Sequence, residues 1–277
     1  AQRTLLFRLQ PPLLWPLHAR SRDPGTHHER RSAVAIILRV VATCQSGQQV
    51  VVFRKPGEAL LSGEHVECLL LRRAASEGRR WSGDVCFPGG HAEEGDVNDA
   101  ATASRELQEE TGLDAAFVHP LGSLPHRVIG GGKLRVVPVV FLLSRSGMME
   151  LQSKEISAAV WVPLSALLQH RMCYDVKRSA AAVQMHRLRM LPLWLLQWSG
   201  AADMMFPSIR LPFEGVIEEG PADLCKAPQL HSLLLSQAQS ATDSRLYEDL
   251  RLWGLTLGMV RELMTIADLE VGSTAPA

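Results

Sequence analysis

The chain has 277 residues, 46% of them hydrophobic and 21% charged, with Lys plus Arg and Asp plus Glu equal at 29 each. That balance argues against a nucleic-acid surface built on bulk positive charge. The apolar run Leu191 to Trp198 falls far short of the roughly 18 to 20 residues that a bilayer-crossing helix needs, so neither nucleic acid nor membrane is an expected partner.

The N-terminal stretch "AQRTLLFRLQPPLLWPLHARSR" carries four arginines and no acid before Asp23, a composition that resembles a mitochondrial transit peptide. Residues 1–31 therefore read as an extension with targeting character. Length alone would permit two domains, but the motifs from Ser32 to Met264 belong to one unit, taken as 32–268, with 269–277 as a tail. The interval Cys44 to His65 reads as an insertion between the first two strands, and Arg171 to Phe213 as a second one.

The next segment is basic, with Arg72, Arg73, Arg79 and Arg80 preceding the run Phe87, Pro88, Gly89, Gly90. Guanidinium groups at a strand end suit phosphate, whose oxygens they bind bidentately. A helix follows. Asp96 or Asn98 is its candidate N-cap and Gly112 its left-handed C-cap, with Ala100, Ala103 and Leu107 as the apolar stripe. Glu106 lies three before Glu109 and four before Glu110, so the three carboxylates project to one side. At Cβ separations of about 6 Å, each like-charged pair repels by about 0.7 kcal/mol in water and about 3 kcal/mol at an effective dielectric of about 20. Arg105, four before Glu109, cannot neutralise three acids; a divalent cation can.

Beyond the helix, Leu124 to Leu143 reads as a strand, a glycine hairpin and a second strand containing Pro138. Glu155 to Leu168 reads as an acid, a short strand ending Val-Pro-Leu and a helix, with Glu155 either a further metal-reaching acid or a surface glutamate at a strand end. Leu252 to Met264 is a helix whose apolar residues belong to the core. The five cysteines are odd in number and include no CxxC pair, which points to an intracellular, reducing compartment and makes Cys86 a small packing residue rather than a nucleophile. The ten histidines show no ligand spacing, so oxygen donors favour Mg2+ or Mn2+ over zinc.

Arg105 to Leu113, "RELQEETGL", matches every specified position of the second half of the Nudix box, and the glycine pair precedes it at nearly the family distance. The segment Leu69 to Gly90 resembles the signature of the coenzyme A pyrophosphatase branch, with Leu71 in place of the usual threonine and Arg79 displaced by one. The Trp-Gly-Leu-Thr opening of the last helix is similar to that branch as well. The resemblance implies an α/β (α+β) Nudix fold, a mixed β-sheet sandwiched between α-helices. It implies metal ligation by Glu106, Glu109, Glu110 and the Gly89 carbonyl, with Arg105 orienting Glu109. It implies substrate contacts from Arg73, Arg79, Phe87, Gly89 and Gly90.

The implied reaction is hydrolysis of coenzyme A or acyl-coenzyme A to adenosine 3',5'-bisphosphate and (acyl) 4'-phosphopantetheine. Another nucleoside diphosphate derivative, such as NADH, ADP-ribose or a dinucleotide, is the alternative substrate, and a non-catalytic Nudix-fold binding module is the alternative of another class. The sequence departs from the box at Val97, where the family places a glutamate; Glu93, Glu94 or Asp96 are the acids available to replace it.

Overall fold

The computed structural model describes residues 30–45, 47–58, 60, 64–74, 83–129, 133–145, 147–169, 173–179, 203–211, 216–217 and 251–266. Its centre is β1 (Arg30–Thr43), a 14-residue strand buried along most of its length. On one edge β1 runs parallel to β8 (Leu134–Leu143) and then pairs antiparallel with β2 (Gln49–Val52). The interval read as an insertion thus contains a strand that returns along β1.

On its other edge β1 is shared. β3 (Glu64–Arg73) pairs with positions 38 to 42, and β5 (Gly89–His91) pairs with positions 32 to 34. Between those two ladders the sheet splits. β4 (Val85–Cys86) turns back along the end of β3, and the Phe87-Pro88 segment crosses the split to bring the glycine pair onto β1, where Ala35 N donates to Pro88 O at 2.8 Å. Outward from β3 lie β9 (Ile156–Pro163) and β12 (Val216–Ile217), both antiparallel to their neighbours; outward from β8 lie β6 (Val118–Ser123) and β7 (Arg127–Ile129). Pro138 sits in β8 where β6 gives way to β7, so its missing N–H falls at a break in the neighbouring ladder.

Alternation along the strands builds two cores, which is why the strands read as unbroken apolar runs. Ile36, Leu38 and Val40 of β1 face one way with Val66 and Leu70 of β3, against Leu257, Val260 and Leu263 of α3 (Gly254–Ile266). The short α2 (Leu164–Gln169) adds Leu164 and Leu167 to that side. Ala33, Ala35 and Ile37 face the other way with Leu69 and Leu71, against Ala103 and Leu107 of α1 (Asp99–Thr111). The result is a mixed sheet between helices. A separate three-stranded sheet joins β10 (Cys173–Ser179), β11 (Asp203–Arg210) and β13 (Arg251–Trp253), the last leading directly into α3.

One ion pair is enclosed on the α1 side. Arg39 of β1 and Glu67 of β3 are cross-strand neighbours, with Nε 2.8 Å from Oε2 and both residues almost fully buried. The guanidinium also lies over the Trp161 ring, 4.2 Å from its centroid.

Candidate active site

α1 starts where Asn98 accepts from Ala101 N at 2.8 Å, so Asn98 rather than Asp96 is the cap. It ends at Gly112 with φ of 69°, whose N–H donates to Gln108 O. Thr102, Ala103 and Leu107 pack on the sheet and Ala100 is partly buried, which sets the rotation of the helix and carries the three glutamates toward the split between β1 and β3.

Their fates differ. Glu110 is almost completely enclosed and accepts from Gly89 N at 3.1 Å. Burial pushes its carboxyl up to about 7; the Gly89 N–H and the nearby Arg73 guanidinium oppose the rise, while Glu106 and Glu155 add to it. Glu106 is packed against the second glycine, where a Cβ on Gly90 would lie 2.5 Å from Glu106 Cδ. Burial raises its carboxyl too, against the opposing charge of Arg105. Glu109 remains half-exposed and turns onto Arg105 Nη1, at 3.1 and 3.2 Å from its two oxygens.

Arg105 is the organiser of this edge. Its Nη2 donates to His91 O at 2.8 Å and to Asp96 Oδ2 at 3.1 Å, and its Nη1 lies 3.1 Å from Glu106 Oε1. The Asp96 hydrogen bond raises the guanidinium's proton affinity, and the same bond holds the Asp96 carboxyl below the usual range. Of the three acids available to replace the box glutamate, Asp96 is thus committed to Arg105, Glu93 is largely exposed at 3.8 Å from Arg105 and Glu94 is exposed; Val97 itself is 76% exposed.

The structure brings Arg73, Gly89, Gly90, Glu106 and Glu110 together. Phe87, expected at the substrate, is buried in the cluster on the α3 side, where it anchors the segment that crosses the split. Arg79 and Arg80 lie outside the described residues. Glu155, just before β9, has its carbonyl bonded to Ala74 N at 2.7 Å, and its charge reaches Glu110. Sequence spacing gives no means of ranking that acid, because 45 positions separate it from Glu110 and tertiary contacts join them, Gln152 N donating to Glu110 O at 3.0 Å and Glu155 N to Gln152 O at 2.9 Å. Burial pushes the Cys86 thiol up to about 12, with the Glu110 charge adding to the rise, so it stays protonated near neutrality and is no nucleophile.

All donors here are oxygens, which suits a hard divalent cation. Among the described residues no three His, Cys, Asp or Glu side chains converge on one metal position. Two carboxylates completed by phosphate oxygens of a substrate is the usual Mg2+ arrangement, and Glu106 and Glu110 fit it.

The glycine pair yields a paired expectation. At Gly90 an added methyl meets only the end of the flexible Glu106 side chain, whereas at Gly89 it meets backbone, 2.5 Å from Ala33 O and 2.7 Å from Val34 Cα. Gly90→Ala should therefore keep the melting temperature and lower kcat by ~10- to 100-fold through a displaced carboxylate. Gly89→Ala should cost about 1–3 kcal/mol of stability. Thermal unfolding and turnover measured on both variants check the contrast.

Residues 50–182 match the family model described as NUDIX domain, and the mixed sheet between helices is an α/β Nudix fold. β1 lies ahead of that match yet occupies the centre of the sheet. The chain is 31% identical over 157 residues to the uncharacterized protein C14C4.10c of Schizosaccharomyces pombe, covering 53% of this chain and 46% of that one. It is 28% identical over 156 residues to the mouse (Mus musculus) protein named peroxisomal coenzyme A diphosphatase NUDT7, covering 56% and 58%. The chain thus spans about half the length of these curated relatives. Among solved structures, the NUDIX domain of Shewanella oneidensis NrtR complexed with ADP ribose aligns with a TM-score of 0.35 and 18% identity, over 62% of this chain and 95% of that one. Among the described residues, no helix is long and apolar enough to cross a membrane.

Proposed function

We propose that the protein is a Mg2+- or Mn2+-dependent pyrophosphatase that hydrolyses the diphosphate of coenzyme A or an acyl-coenzyme A. The observation that carries this reading is the pair of carboxylates, buried Glu110 and partly buried Glu106, pressed against Gly89 and Gly90 with Arg73 alongside. Glu110 enclosed beside Arg73, and Glu106 sharing Arg105 with Glu109 and Asp96, leave more carboxylate than guanidinium charge in the site, a poor resting arrangement and a good cation site. A divalent cation held by Glu106 and Glu110 would neutralise the diphosphate and lower the pKa of the attacking water.

The chain's own residues supply the rest. Gly89 and Gly90 carry no side chain, which lets Gly89 pack on the Ala33–Val34 backbone and lets the Glu106 carboxylate lie against Gly90. Arg105 keeps Glu109 and Glu106 in fixed rotamers. Arg73 is placed to bind a phosphate oxygen. Attack by water breaks one P–O bond of the anhydride, and the products are adenosine 3',5'-bisphosphate and (acyl) 4'-phosphopantetheine. The coenzyme A assignment draws support from the arginine-rich approach to the glycine pair and from the 28% identity to the mouse protein of that name.

Product chromatography after incubation with coenzyme A, acyl-coenzyme A, NADH, ADP-ribose and a dinucleotide tests the reading. Coenzyme A or its acyl form should be cleaved fastest, and exhaustive chelation should abolish turnover. Faster cleavage of NADH or ADP-ribose would replace the substrate; no cleavage of any member, with metal present, would leave a binding module. Arg73→Ala should reduce the preference for coenzyme A over its dephospho form by about 1–3 kcal/mol, the value of a charge-assisted contact. Equal loss on both substrates would reassign Arg73 to the shared diphosphate.

Metal uptake has its own signature. With its pKa at about 7, Glu110 is partly protonated near neutrality and must lose that proton to ligate. Mg2+ affinity should therefore fall as pH drops below about 7, with protons released on binding. Titration calorimetry in buffers of different ionisation enthalpy would detect the release; a pH-independent affinity between 6 and 8 would remove Glu110 from the ligand set.

A further inference from the structure

β4 is only two residues long, and on β3 it is held by two cross-strand pairs, Leu71 with Cys86 and Arg72 with Val85. So short a strand sets its position weakly. The end of the chain supplies more: Trp253 Nε1 donates to Asp84 Oδ1 at 3.2 Å, and Thr256 Oγ1 donates to Val85 O at 3.3 Å. Both bonds come from residues well beyond the 50–182 match. Asp84 is tied from two directions, since its carbonyl also accepts Arg73 N at 3.0 Å.

From this clamp the chain runs straight into the site. Three residues separate Val85 from Gly89, and within them Phe87 is buried and Pro88 O accepts Ala35 N. Little freedom is left to absorb a shift of β4 before it reaches the Gly89 N–H on Glu110 and the Gly90 face against Glu106. Trp253 is itself almost buried, so its indole N–H depends on an internal acceptor, and the clamp is costly to open.

We infer that Trp253 and Thr256 are positioning residues for the glycine pair, holding Asp84 and Val85 so that the Gly89 amide and the Gly90 backbone stay registered on Glu110 and Glu106. The consequence for turnover rests on the pyrophosphatase reading; the consequence for the backbone does not. A Trp253 that merely fills the core would stabilise the whole sheet evenly, whereas a clamp protects the amides next to it.

Hydrogen exchange on the full chain, without substrate, separates these. Trp253→Phe keeps the ring bulk and removes the donor; Thr256→Val does the same for the hydroxyl, and being on the half-buried first turn of α3 it keeps the question open should Trp253→Phe fail to fold. Each should speed exchange at Gly89 and Ala35 by ~10-fold, the loss of one hydrogen bond, while Val139 and Val140 of β8 keep their protection. Thr256→Ser, which retains the hydroxyl, should behave as wild type. Thr265→Val, near the far end of the same helix where Oγ1 bonds Arg261 O, should leave Gly89 unchanged. Turnover of coenzyme A should fall ~10-fold in Trp253→Phe and Thr256→Val with KM within about twofold, since the lost interaction serves the transition state.

Unchanged exchange at Gly89 in both variants would overturn the inference, as would equal loosening of β8. If wild type cleaves no diphosphate while the local exchange pattern appears as described, the positioning role stands and the pyrophosphatase reading falls.

Discussion

Glu110→Gln is expected to lower kcat by ~100- to 1,000-fold, about 3–4 kcal/mol of lost transition-state stabilisation, with KM little changed. The substitution keeps the side chain's shape, and the amide oxygen can still accept from Gly89 N, so the glycine pair should keep its place. What goes is the negative charge that, on the proposed reading, would hold a cation against the diphosphate. The same variant has a second, opposite effect on the metal-free fold. Burial raises the Glu110 carboxyl to about 7 from 4.5, so between those values the native protein binds more protons than the unfolded chain. Wild-type stability must therefore fall as pH rises from about 4.5 through about 7, and glutamine, which does not titrate, should abolish that part of the slope. Urea unfolding at several pH values with chelator present, alongside turnover with Mg2+, reads both effects. A variant that turns over at the wild-type rate would remove Glu110 from the site, and an unchanged pH slope would show that its proton is lost early.

Glu67→Leu is expected to cost about 3–5 kcal/mol of stability, because it strands the Arg39 guanidinium in the core without its carboxylate. Burial alone would raise the Glu67 carboxyl, but the His65 hydrogen bond and the Arg39 charge outweigh it and hold it below the ordinary range. Its contribution is thus present above about pH 4.5 and is lost as pH falls toward the lowered folded value. The double variant Arg39→Met with Glu67→Leu should recover most of the loss, since no buried charge then remains. Turnover should stay near wild type in both variants, because the pair lies five positions along β1 from the Val34–Gly89 contact. If Glu67→Leu alone unfolds no more easily than wild type, water reaches the guanidinium in solution and the pair is not sealed.

Much of the site was legible before any coordinates. The i,i+3 and i,i+4 spacing of Glu106, Glu109 and Glu110, the Gly112 stop and the Gly89–Gly90 pair are local features, and a helix converts such spacing into a shared face whatever surrounds it. The division of labour among the three glutamates was not legible. Glu110 is enclosed and Glu109 left outside because α1 is rotated by the packing of Thr102, Ala103 and Leu107 on the sheet, a choice made by partners on other strands. Phe87 likewise reads as part of a substrate motif, yet it is drawn into the core by the α3 side of the sheet.

The sequence by itself determined the helix with its caps, the acidic face, the glycine pair and the apolar strands, hence a Nudix-type α/β unit; each depends on neighbours within a few residues. Only the tertiary structure decided that Asp96 serves Arg105, that Glu155 reaches Glu110, that Arg39 finds Glu67, and that Trp253 holds Asp84 from 169 positions away. Those partners are chosen by strand order and by which face of the sheet each helix covers. Pairing order is a property of the whole chain's hydrogen bonding and burial, and no local pattern encodes it.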